Sequence, residues 1–315
     1  MTDPYTLLDA VYAAARWGWY LSVFLLLGAG SYAPFLFGRR TALAATDPDL
    51  ATALPRRAAR IGLLAAMALL LFTVLRLYLQ ARTLVEPGEP VTGDLVKAVL
   101  ATVWGQGWER QAALGLLATV AFGAATAGSR FGWMVGSATG GGLGLVSGMT
   151  GHAATERAGA LGWIIDAAHV WAGGFWLGGL AVMLLAGLGA CHELPAERRM
   201  PLIRALIGDF SRRALIFGPL AIGLGAWLAV RYLGWTWPFH LFSTGYGTAL
   251  AVKLGLLVVI AALGAFNWRV AQPGLRDSSG EGRFRKSGAL EVGFGALLLL
   301  ATAVLVSLPL PGEPH

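Results

Sequence analysis

Residues 147–180 read SGMTGHAATERAGALGWIIDAAHVWAGGFWLGGL. Two long apolar segments meet here at a short polar turn. His152 leaves the first and His169 enters the second. Met149 stands three residues before His152, and Asp166 three before His169. Positions three apart share one face of a helix. The spacing therefore predicts two side-chain pairs, Met149/His152 and Asp166/His169, aimed into one space near one end of two consecutive helices.

The rest of the chain fits segments of this kind. Of its 315 residues 56% are hydrophobic and only 13% charged, against about a quarter charged in a soluble domain. Runs of about 20 apolar residues recur along it, the length that crosses a bilayer. The chain reads as an all-α polytopic membrane protein, a bundle of eight transmembrane helices at 14–37, 60–81, 110–128, 131–151, 163–189, 213–233, 247–268 and 287–308. The loops are short, so 1–315 is expected to be a single transmembrane domain. Asp3 and Asp9 stand where a secretory signal would carry basic residues, so the first apolar segment is expected to be retained.

The net charge of +7 does not indicate nucleic-acid binding, because the basic residues sit in short loops. Sixteen of the 24 fall on one side of the bundle and six on the other. The richer side is expected to be cytoplasmic, which puts both termini on the periplasmic side. His152, His169, His240 and His315 then lie at the outer face, and Cys191 and His192 at the inner. One cysteine excludes an intrachain disulfide and thiolate-built clusters. Cys191, His192 and Met200 form a weak candidate for a soft-metal exit.

Glycines at 132, 136, 140, 144 and 148 recur every four residues, and His152 continues the spacing. Such repeats let membrane helices approach closely. Steps of four advance about 40° round the helix, so the stripe is expected to wind past more than one neighbour. Trp104, Trp108, Trp163, Trp171, Trp176, Trp235 and Trp237 are expected to form an aromatic belt at the outer interface. Arg76 and Lys253 lie inside spans. Snorkelling or a structural hydrogen bond is the first reading for both. Glu291 and Asn267 are expected to pair with the nearby arginines.

Imidazole, thioether and carboxylate near a membrane face read as a metal site, and copper suits the first two donors best. Asp166 is either a ligand or the carboxylate that holds a ligating histidine in its tautomer. His240, in the outer loop PFHLF, is a further candidate. Imidazole and carboxylate suit Cu(II), whereas thioether suits Cu(I), so the oxidation state stays open. There is no phosphate-binding glycine loop, and no hydroxyl is placed beside a base, so nucleotide-driven transport and an enzyme are not expected.

Several stretches together resemble the CopD/PcoD copper-resistance membrane protein family. They are GHAA at 151–154, DAAHVWAGGFWLGGL at 166–180, DFSRRAL at 209–215, YGTALAVKLGLLVVIAALGAFNWR at 246–269 and FRKSGALEVGFG at 284–295. TVWGQGWERQ at 102–111 and YLQA at 78–81 match more loosely. The resemblance marks 147–308 as a CopD-like core. It implies a multi-pass protein of the bacterial inner membrane that moves copper ions, periplasm to cytoplasm, beside a separate periplasmic CopC-type copper carrier. His152 and His169 inherit candidate copper-ligand positions. The first helix departs from the family pattern, because RWGWYL at 16–21 carries no histidine. Two other readings stay open: a b-type haem redox protein using the histidine pair, and a copper-docking protein that transports nothing.

Overall fold

A computed structural model of the chain describes residues 6–46, 48–150, 159–191, 194–235, 238, 241–242, 244–271 and 278–308. The described residues are helical throughout, without a strand. The helices are α1 Leu7–Thr46, α2 Pro48–Arg82, α3 Gly93–Leu100, α4 Val103–Thr126, α5 Arg130–Val146, α6 Gly159–Gly173, α7 Gly179–Val182, α8 Gly189–Cys191, α9 Ala196–Leu233, α10 Gly245–Phe266 and α11 Ser278–Leu305. The π-helical segments Gly174–Gly178 and Met183–Leu188 join α6, α7 and α8. Gly173, Gly178 and Val182 keep right-handed helical angles at the junctions, so 159–191 is one rod.

Local chemistry sets the ends. Thr102, Ser129 and Thr244 accept the backbone N–H of Gly105, Gly132 and Gly247 at 3.0–3.1 Å, capping α4, α5 and α10. Gly128 turns the chain from α4 to α5 at φ 96°, a conformation that a side chain would strain.

Six helical stretches are long and apolar enough to cross a membrane: Leu7–Ala33, Pro48–Arg82, Leu161–Cys191, Glu197–Leu233, Gly245–Ala271 and Gly280–Leu305. The expected third and fourth spans coincide with α4 and α5, which fall outside that set. α4 opens on VWGQGWERQ, whose polar residues shorten its apolar run, and α5 has only 17 residues.

The rod 161–191 is the centre of the bundle, with 78% of its most apolar stretch buried, against 17% in α9 and 11% in α10. Lipid tails are as apolar as leucine, so burying leucine gains little here, and close packing and hydrogen bonds decide helix association. Glycine supplies the packing. A Cβ added at Gly178 would lie 1.9 Å from the Phe24 carbonyl oxygen, and one at Gly28 would lie 2.2 Å from that of Gly178. The α1 and rod backbones therefore touch. The α5 stripe winds as its spacing requires: Gly132 and Gly136 face α4, Gly140 faces Leu26 of α1, and Gly144 faces Trp171 of the rod.

Indole N–H groups supply much of the hydrogen bonding. Trp163 donates to the Leu145 carbonyl, Trp171 to Gly141 and Trp108 to Thr73, at 2.8, 2.8 and 2.6 Å. These indoles fasten one helix to the next. Trp176 is buried, whereas Trp235 is 85% exposed.

Arg76 is 2% exposed and does not snorkel. It donates to Gln111 at 3.1 Å and lies over the rings of Trp19 and Trp104. Gln111 in turn donates to the Val146 carbonyl at 3.1 Å, so this chain of contacts ties α2, α4 and α5. The arginine-rich end is held differently, by Arg199 and Arg285 on Glu281.

Candidate metal site

Asp166 and His169 lie one turn apart near the start of the rod, opposite the arginine-rich end, and both are half-buried. His169 is fixed by α9. Its Nδ1 is 2.8 Å from the Ala221 carbonyl oxygen, and an added Cβ on Gly225 would come within 2.9 Å of its Cε1. A carbonyl only accepts, so Nδ1 carries the hydrogen. Nε2 keeps its lone pair, which is the state of a metal-ligating imidazole. Gly225 matters because any side chain there would push the ring away.

Three other helices converge on Asp166. The Lys253 ammonium of α10 interacts electrostatically with both Asp166 and His169. Tyr20 of α1 and Tyr232 of α9 also interact with Asp166. Lys253 itself is half-buried. Sequence reasoning placed this lysine inside the span and missed its partners, which come from a helix 87 positions earlier in the chain. Tyr20 was equally hidden, although the first helix contributes it from the stretch that lacks a histidine.

Met149 sits on the short 3-10 helix Ser147–Thr150, which packs on the start of the rod. Its sulfur accepts from Arg110 at 3.3 Å. His152 and His240 lie outside the described residues. Among the described residues no three His, Cys, Asp or Glu side chains form a metal-holding group. The geometry on the page is one oriented imidazole and one carboxylate, with an ammonium balancing the carboxylate. Such a pair offers copper a nitrogen and an oxygen donor, and Lys253 limits the positive charge it accepts.

The suggested exit group is not assembled in the same way. Cys191 is fully buried, and its thiol donates to the Gly187 carbonyl at 3.2 Å. Met200 packs against the core, and His192 is outside the described residues.

A second polar group lies deeper. Glu291 of α11 accepts from Asn267 Nδ2 at 2.8 Å, and Ser287 donates to the Asn267 side-chain oxygen. All three are buried. Among the described residues Glu291 and Asn267 pair with each other and with Ser287 instead of with the nearby arginines, and Arg199 and Arg285 are on Glu281. The small Ser287 lets Asn267 turn inward.

Comparison with known proteins agrees over most of the chain. Residues 204–305 match the family described as copper resistance protein D. Residues 7–163 match the copper resistance protein D-like N-terminal domain. Copper transport protein CutJ of Bacillus subtilis (strain 168) is similar, at 32% identity over 180 residues. That alignment covers 55% of this chain and 30% of the relative, so the chain spans about a third of that protein's length. No solved structure matches. The chain is a member of the copper resistance protein D (CopD) family.

Proposed function

We propose that this protein carries copper ions across the bacterial inner membrane, from periplasm to cytoplasm. Copper is its cargo, bound first at the end of the rod that holds Asp166 and His169. His169 Nε2 and the Asp166 carboxylate are the donors from the rod. His152 and Met149 join from the preceding segment, and His240 from the loop before α10. All eight long helical segments cross the bilayer as a single transmembrane domain, with both termini periplasmic. α4 and α5 cross on the strength of their packing against α2 and α1. A periplasmic CopC-type carrier delivers the ion. No chemical conversion takes place, so the protein is not an enzyme.

The observation that carries this reading is the orientation of His169. The Ala221 carbonyl holds Nδ1–H, which leaves Nε2 free beside a carboxylate three residues away. Intramembrane ionisable groups are costly, and they mark ion pathways by default. Asp166, His169 and Lys253 together are such a group.

The test is copper accumulation in cells that carry wild type, His152→Ala or His169→Ala at equal membrane levels. Each variant is expected to accumulate less copper than wild type. Wild-type accumulation in both would remove these histidines from the transport path.

A further inference from the structure

The Glu291 group is not used by the site above. Its nitrogen donor comes from a place where a helix departs from α geometry: Asn267 opens the π segment Asn267–Ala271 at the end of α10. Trp176, which neighbours the same carboxyl, is the middle residue of the π segment Gly174–Gly178. π turns inside helices are rare and gather at functional sites. Here two of them, from different helices, border one carboxyl. Gly264 of α10 lies alongside it: an added Cβ there would be in ordinary contact with Glu291 Oε1, at 3.5 Å.

The carboxyl is 2% exposed and no basic group pairs with it among the described residues. On α11, Arg285 is turned to Glu281, about 15 Å away at 1.5 Å per residue. Lys286 lines an exposed apolar groove with Leu290 and Gly293. At the end of α10, Arg269 is exposed and lies over the Trp268 ring, and Lys253 stands about 20 Å from Asn267 along the axis, where it acts on Asp166 and His169. On α1, Arg16 is held by Ser307 at 2.6 Å, about 24 Å along α11. The rod presents Trp176, Leu177 and Leu184 to α11, none of them ionisable. A bare carboxylate so enclosed costs several kcal/mol. The neutral Asn267 N–H offsets only part of that. A proton removes the charge altogether.

We propose that Glu291 is a proton-binding site: its carboxyl holds a proton in this closed arrangement and exchanges it with water from the arginine-rich end during copper transport. The release leaves a carboxylate and a hydrated proton. Reprotonation restores the closed, neutral group. The coupling rests on the transport reading above, whereas the protonated carboxyl does not.

Two readouts separate these parts. Infrared difference spectra of wild type against Glu291→Gln, in lipid at neutral pH, are expected to show a protonated carboxylic acid band that shifts in D2O. Glu291→Asp, which keeps a carboxyl, is expected to restore it. A carboxylate band alone would overturn the site. In proteoliposomes loaded for copper uptake, wild-type flux is expected to respond to an imposed pH gradient. Glu291→Gln is expected to lose that response while retaining copper binding at the other end. A Gln variant with the wild-type gradient response overturns the coupling. Wild type without any copper flux would overturn the transport reading and the coupling with it, and the infrared band would then decide the site by itself.

Discussion

Two polar groups, Asp166/His169 on the rod and Glu291/Asn267/Ser287 between α11 and the end of α10, are built in opposite ways. At the first, Asp166 and His169 are half-buried, and only one imidazole nitrogen is committed. At the second, Glu291, Asn267 and Ser287 are buried and bonded to one another. The first group keeps a lone pair and a carboxylate for an incoming ion. The second has closed its valences internally. A bundle that only needed buried polar glue would build both like the second. The difference supports the proposal that a ligand enters at His169.

The glycine contact between α1 and the rod brings two backbones together, so breaking it is expected to have the largest effect. Gly178→Leu places carbon where the Phe24 carbonyl already sits. It is expected to destabilise the protein by about 3 kcal/mol or more, read as loss of a monodisperse peak and a lower Tm in detergent. Gly223→Ala, at a position with open space around it, is the control and is expected to leave both unchanged.

His169→Ala separates the two groups. It is expected to weaken copper binding by about 100-fold, at the upper end of what loss of an orienting partner costs, with little change in Tm. Lys253→Met sharpens the reading of the same site in the other direction. Removing a like charge is expected to tighten copper binding by about tenfold at an effective dielectric near 20, measured by competition with a chromophoric chelator. Weaker binding in that variant would make Lys253 a support for the donors instead of a brake on charge.

The second group is tested by Asn267→Leu, which strips Glu291 of the 2.8 Å donor. The expected cost is about 1–3 kcal/mol in thermal unfolding, with copper binding unchanged. Coupled loss of copper binding would show that the two groups are one.

Apolar runs and basic loops made the helices legible in the sequence, and the four-residue glycine spacing foretold a stripe shared among neighbours. The pair Asp166/His169 was legible because it is local, one turn on one helix. What the sequence hid is long-range. Lys253 and Tyr20 reach Asp166 from helices remote in the chain, and nothing in their own surroundings distinguishes them from snorkelling or packing residues. Arg76 looked able to reach the interface, yet Gln111 and two indole rings hold it inside. The carbonyl partners of Trp108, Trp163 and Trp171 were hidden for the same reason, since they lie on other helices. The π segments were invisible, since helical periodicity does not register a single inserted residue.

The most direct test of the central claim is copper bound per protein, for purified wild type and the His152→Ala/His169→Ala double variant, after equilibration with copper and removal of excess. The account predicts stoichiometric copper in wild type and none in the variant. Equal copper in the two, or none in either, would contradict it and leave these histidines as structural residues.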